Sequence, residues 1–108
     1  MADTTVTLTR CSDYSQPKIA KAITRQLENN EFIVYNPPKK QLDVTDIDTI
    51  INCIKFFKPD ILINCAGYIE PSPIIETSHC RFMKHLEVNL VGAFLCSKYA
   101  LINNLFKM

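Results

Sequence analysis

At 108 residues the chain is one domain at most, long enough to bury a single modest core. Hydrophobic residues make up 47% and charged residues 21%, and the net charge is +1 with no basic or acidic block, which argues against a disordered chain and against a phosphate-tracking nucleic-acid surface. No apolar run approaches the roughly 20 residues that cross a bilayer, and the first residues lack the build of a signal peptide, so a cytoplasmic location away from membranes is expected.

The first element is a strand over Thr5 to Thr9, where Thr-Val-Thr-Leu-Thr alternates with period two and buries Val6 and Leu8 on one side. Pro17 suits a first helical turn, where its missing N–H costs nothing, and Ile19, Ala20, Ile23 and Leu27 then recur at helical spacing until Asn29-Asn30. Phe32 to Tyr35 reads as a short strand ended by Pro37-Pro38, and Gln41 to Val44 as another brief one. Thr45 to Asp48 resembles a capping box with Asp in the last position. Behind it Ile47, Ile50, Ile51, Ile54 and Phe57 form an apolar helical stripe that Pro59 stops. Ile61-Leu62-Ile63 is uninterrupted apolar, as in a strand covered on both faces. A proline-bearing loop follows, and from about Ser78 to Leu105 the pattern is helical, with Phe82, Leu86, Leu90, Phe94 and Leu101 marking its apolar side.

Strands alternating with amphipathic helices predict βαβ crossovers and a parallel sheet with helices on both faces. The five cysteines, at 11, 53, 65, 80 and 96, have irregular spacings and no Cys-x-x-Cys pair, which reads as reduced and mostly buried thiols. His79 and His85 flank Cys80, yet six residues apart on a helix they point in different directions, so no metal site is expected.

Three stretches carry a family likeness. Leu42-Asp43-Val44-Thr45-Asp46, Ile63-Asn64-Cys65-Ala66-Gly67 and Glu87-Val88-Asn89-Leu90-Val91-Gly92-Ala93-Phe94 stand in this order, one helix and then one loop apart. In order and spacing they resemble the N-terminal half of a short-chain dehydrogenase/reductase. The resemblance implies a Rossmann-like three-layer α/β/α fold with a parallel sheet of about four strands in the order 3-2-1-4, truncated after the fourth helix. Residues 1–108 would then be a single partial NAD(P)-binding domain. It further implies that Asp43 and Val44 lie around the adenine of NAD or NADP, that Asn64, Ala66 and Gly67 line the cofactor, and that Asn89 is the catalytic asparagine, which in the family holds a water where the helix kinks. The short join from Tyr35 to Leu42 resembles the nucleotide-sugar branch of the superfamily. Asn36 after the second strand, with Lys39 and Lys40 beyond it, leans toward a cofactor phosphate.

Read without the family, Gly67 allows a close backbone approach where a buried strand exits, and Asn64 ties neighbouring loops together. Asn89 is either paired inside the helix or on its wet side. Gly92 permits close packing at about 1 kcal/mol of helix propensity.

Two departures bear on activity. The family's Gly-x-x-x-Gly-x-Gly loop cradles the pyrophosphate on backbone amides, whereas residues 9–20 here contain no glycine and carry Asp13 and Pro17, so any binding of NAD or NADP is expected to be weak. The family's Ser and Tyr-x-x-x-Lys, which act as its proton relay, are absent. The strings Tyr14 to Lys18 and Tyr35 to Lys39 contain prolines and cannot stack i and i+4 on a helix face.

These features set three expectations: a dehydrogenase-like nucleotide-binding half, inactive alone; a non-catalytic interaction module that forms a homodimer through the helix 78–105; or one part of an enzyme that a partner chain completes. An unpaired last strand, and apolar surface on the last helix through Leu95, Tyr99 or Ile102, would favour such association.

Overall fold

Side-chain alternation in three short strands decides how the molecule is layered. The computed structural model describes residues 4–9 and 18–107, the side chains of 105–107 excepted. Strands β1 (Thr5–Leu8), β2 (Ile33–Tyr35) and β3 (Ile61–Ile63) form a parallel sheet in the order β2-β1-β3. Val6 lies opposite both Val34 and Ile61 in the ladder, and Thr7 opposite Tyr35 and Leu62.

One sheet face carries Val6, Leu8, Val34 and Ile63, which pack against Ala20, Ile23 and Leu27 of α1 (Lys18–Asn29). On the other, Leu62 packs with Ile50, Cys53 and Ile54 of α2 (Ile47–Phe57) and with Cys96 and Ala100 of α4 (Gly92–Lys107). The result is a three-layer α/β/α arrangement with a hydrophobic core on each side of the sheet. β1 is covered on both faces, because Thr7 and Thr9 are as deeply buried as Val6 and Leu8, rather than half-buried as its alternation suggests.

The additional strand expected at Gln41–Val44 does not form, so among the described residues the sheet has three strands in place of the expected four in the order 3-2-1-4. After Pro37-Pro38 the N–H groups of Gln41 and Leu42 both donate to the Pro38 carbonyl, at 2.8 and 3.0 Å, closing a turn where a ladder was expected. Leu42 and Val44 then turn inward and join the α2–α4 core.

Helix ends follow local chemistry. Asp46 caps α2 by accepting from the Asp48 N–H at 3.1 Å, one residue later than the expected box, because the Thr45 hydroxyl is already bonded to Asp43. With only two glycines in the chain, left-handed positions fall to other residues: Glu31 (φ 67°) after α1 and Lys58 (φ 48°) after α2.

The last helical stretch comprises α3 (His79–Leu86), a π turn (Glu87–Val91) and α4. Its inward face is the reverse of the one expected. Leu90, Phe94 and Leu101 point outward, the last two 62% and 64% exposed, whereas Val88, Gly92, Cys96 and Ala100 face the core. The small residues sit four apart, so one seam of little side-chain volume runs along the helix and lets its backbone come close. At Gly92 an added Cβ would fall 2.8 Å from Val44 Cβ and Cγ2. Close approach selects the small face over the bulky one. Leu95 and Tyr99, expected outside, are partly buried against the core.

Candidate functional site

In an open parallel sheet the strand ends on the carboxyl side, together with the loops beyond them, form the rim where ligands are held. Thr9, just past β1, anchors this rim. Its N–H donates to the Ile63 carbonyl at 3.0 Å, and its buried hydroxyl accepts from the Cys65 and Ala66 amides at 2.9 and 3.0 Å. The loop after β3 is thereby pulled across the end of β1. Thr9 carries this function and sequence reasoning missed it, since the alternation Thr-Val-Thr-Leu-Thr marks its threonines only as the outward side of a strand.

From that anchor the chain passes to Gly67 and Tyr68, where Asn89 takes over. The Asn89 carboxamide accepts from the Tyr68 N–H at 2.7 Å and donates to the Tyr68 carbonyl at 2.7 Å, satisfying both backbone groups of one residue. Asn89 sits in the middle of the π turn, whose closing bond runs from the Gly92 N–H to the Glu87 carbonyl. A Cβ on Gly67 would lie 3.5 Å from Asn89 Oδ1, an ordinary contact, so the missing side chain is not needed to avoid a clash.

Asp43 and Val44 reach the same region through Gly92. Val44 is buried against it, while Asp43 Oδ1 accepts from the Thr45 N–H at 2.9 Å and from its hydroxyl at 2.6 Å. The Asp43 N–H donates to Thr49 Oγ1 at 2.9 Å, so this corner is rigidly held. Between it and the helix lies a cavity of about 80 Å³, lined by Asp43, Val44, Thr45, Lys39, Lys84 and Val88 together with Leu42. That is well below the roughly 300 Å³ at which drug-sized ligands are enclosed, but two valines beside a carboxylate acceptor suit one edge of a purine.

Asn64 stands apart from this group. It is exposed, and its Nδ2 donates to Ser97 Oγ on α4 at 3.1 Å, tying the end of β3 to the helix. Asn36 likewise turns away from the rim and donates to Thr24 Oγ1 on α1 at 2.8 Å. Of the glycine-free stretch 9–20 expected to meet a pyrophosphate, residues 10–17 lie outside the described residues, as does most of the Tyr14 to Lys18 string. In the second string Tyr35 closes β2, with its ring 4.4 Å from that of Phe57, and Lys39 lies in the following turn; the two do not share a helix.

Electrostatics concentrate where the loop after β3 meets α3. Glu70 accepts from the Tyr68 hydroxyl and pairs with Arg81 at 3.0 Å. The Tyr68 hydrogen bond is the main cause that holds the Glu70 carboxyl below its usual range; burial opposes it, and nearby Arg81, Lys84 and His85 add to the lowering. Burial pushes the Cys53 and Cys96 thiols up to about 11, with each other's proximity adding to the effect at Cys96. Cys65 is partly buried and Cys80 exposed, so of the described cysteines only two are deeply buried. Among the described residues no helix is long and apolar enough to cross a membrane.

The family model described as Enoyl-(Acyl carrier protein) reductase matches residues 2–107. No curated protein matches the chain. Among solved structures, dTDP-4-dehydrorhamnose reductase from Bacillus anthracis str. Ames in complex with NADP is similar with a TM-score of 0.74 at 21% identity, over 96% of this chain and 34% of that one. The ligand-free aldohexose dehydrogenase of Thermoplasma acidophilum gives 0.69 at 19% identity, over 93% and 44%. ElxO with NADP bound gives 0.57 at 23%, over 91% and 49%. The chain thus spans between about a third and a half of the length of the structures it resembles.

Proposed function

Because the chain belongs to the short-chain dehydrogenase/reductase family, we propose that it is a dinucleotide-binding half of an NAD(P)-dependent oxidoreductase-like core, without turnover by itself. The observation that carries the reading is the convergence on one rim of Asp43–Val44, the Thr9-anchored Ala66–Gly67 loop and Asn89, joined by the Val44–Gly92 contact. An NADP-bound reductase and NADP-bound ElxO share this fold, which supports the same ligand class here.

In this reading Val44 and Val88 bed the adenine, and Asp43, already oriented by Thr45, accepts from its exocyclic amine. Lys39 and Lys84 border the same cavity and favour an anionic ligand. Ala66 and Gly67 pass beneath the ribose side. Asn64 contributes by fixing β3 to α4 rather than by touching the cofactor. Asn89 is the family's helix asparagine, and its part is to hold the loop at Tyr68. A bound nicotinamide cofactor would supply hydride transfer. The proton relay of a serine, a tyrosine and a lysine does not occur in these 108 residues, and loss of a positioned proton donor forfeits roughly a hundred- to ten-thousand-fold in rate.

Saturation-transfer NMR with NAD, NADP and AMP tests the reading: transfer to adenine protons, reduced by Asp43→Ala, is expected. No transfer from any of the three would overturn it.

One observation favours a second reading, a non-catalytic association module. Leu90, Phe94 and Leu101 lie outward along one long helix, and burying residues of this size contributes roughly 1.5–3 kcal/mol each. A homodimer, or a partner chain that completes the fold, would cover them. Light scattering after size exclusion should show a dimer that Phe94→Glu dissociates; a monomer at high concentration would count against it.

A further inference from the structure

The loop after β3 is fastened to α3 by a histidine whose protonation state the geometry fixes. The Glu70 N–H donates to His85 Nε2 at 3.0 Å, so Nε2 carries no proton. The ring's single proton is then on Nδ1, which donates to the Arg81 carbonyl at 2.9 Å. From this we infer that His85 is a positioning residue: as the neutral Nδ1–H tautomer it latches the loop 68–77 to α3, and protonation of Nε2 opens the latch.

The surroundings decide what a second proton would do. From the loop, the Tyr68 ring lies 4.7 Å from the imidazole, and the Glu70 carboxylate is engaged by the Tyr68 hydroxyl and by Arg81 at 3.0 Å. From α3, Lys84 Nζ sits 4.3 Å over the Tyr68 ring. The cluster therefore holds one carboxylate, already paired, beside two permanent cations. An imidazolium would add a third cation and would turn Nε2 from acceptor into donor, facing the Glu70 N–H donor. Two donors cannot share that contact, and it breaks. Glu70 itself does not switch, because its Tyr68 and Arg81 partners keep it ionised through the range in which histidines ordinarily titrate.

The consequence reaches the rim. The same loop begins at Gly67 and is held two residues before Glu70 by Asn89 through Tyr68, so the histidine latch adds to the ties that keep the start of the loop beside the proposed ligand site. The inference rests on these hydrogen bonds alone and stands whether or not a dinucleotide binds.

Amide hydrogen exchange at Glu70, read by NMR and corrected for intrinsic pH dependence, tests it in the chain and two variants. The parent should lose protection by about fivefold from pH ~8 to pH ~5, the factor that corresponds to one net hydrogen bond of about 1 kcal/mol. His85→Gln keeps an acceptor near the Nε2 position and should protect equally at both pH values. His85→Phe keeps the ring contact with Tyr68 without an acceptor and should be unprotected at both. If the phenylalanine variant fails to fold, the comparison of parent with His85→Gln still decides. Unchanged protection in the parent, a parent-like pH profile in His85→Gln, or a ring NMR signature of the Nε2–H tautomer in the parent at pH ~8 would each overturn the inference.

Discussion

Gly92→Ala is the most searching perturbation of this fold, because two effects of similar size oppose each other and the structure says which prevails. In an isolated helix the change to alanine gains about 1 kcal/mol. Here the new Cβ would lie 2.8 Å from both Val44 Cβ and Cγ2, and 3.2 Å from the Glu87 carbonyl oxygen. Carbon atoms in good contact sit about 3.5–4.0 Å apart, so the overlap is on the order of 1 Å. Rotating Val44 moves Cγ2 but not Cβ, whose backbone is held by the Asp43 bonds to Thr45 and Thr49. α4 must therefore shift outward. Overpacking of this kind costs typically about 1–3 kcal/mol, which cancels the helix gain and leaves a net loss of up to about 2 kcal/mol. For a domain of this size that lowers Tm by about 4–8 °C per kcal/mol. Urea titration followed by far-UV circular dichroism reads the loss directly. Val44→Ala removes Cγ2, so the double variant should be less destabilised than the sum of the singles by about 0.5 kcal/mol or more. A Gly92→Ala chain more stable than its parent by the full helix gain of about 1 kcal/mol would refute the claim that a close backbone approach orients this helix.

Four other outcomes are expected. Thr9→Val keeps the shape and deletes the acceptor for the Cys65 and Ala66 amides, and should cost about 1–3 kcal/mol per orphaned donor in the same denaturation assay. Asn89→Asp retains the acceptor for the Tyr68 N–H but loses the donor to its carbonyl; equilibrium unfolding should show a loss of about 1–3 kcal/mol, and Asn89→Leu should lose more. Glu31→Gly relieves a left-handed backbone and should raise stability by about 1 kcal/mol. Because Cys53 and Cys96 have folded-state pKa values raised from 9.0 to about 11, their contribution to stability is complete below pH 9 and falls as pH rises toward 11; the urea midpoint should decline across that window, and less so in Cys53→Ala.

Much of the architecture is legible in the sequence because backbone chemistry writes it locally. Ile61-Leu62-Ile63 could be little else than a strand, and it is β3; Pro59 and Asn29-Asn30 end helices within a residue or two of where the chain turns. The spacing of the motifs at Asp43, Asn64 and Asn89 says nothing of which partners their side chains take. Asn64 reaches α4 and Asn89 reaches a loop backbone, and periodicity carries no information about such long-range bonds. Gln41 to Val44 failed as a strand because a proline pair upstream closed a turn on its own carbonyl. The reversed face of α4 has a deeper cause. Hydropathy ranks Phe94 and Leu101 above Gly92, Cys96 and Ala100 as core residues, whereas packing distance ranks them the other way. Nothing in their sequence separation brings Tyr68 and Glu70 together with His85.

The surplus residue in the π turn fixes how two separate docking jobs are phased along one rod. Each residue advances an α-helix by about 100°, so removing one position from Glu87–Val91 would rotate everything beyond it by that much relative to everything before. Arg81 and His85 could then keep their grip on the loop, or the four-spaced seam could keep its seat on the sheet, but both could not. Chain length in this stretch is consequently constrained to the single residue, and a shortened version is expected to surrender one half of the rod or the other.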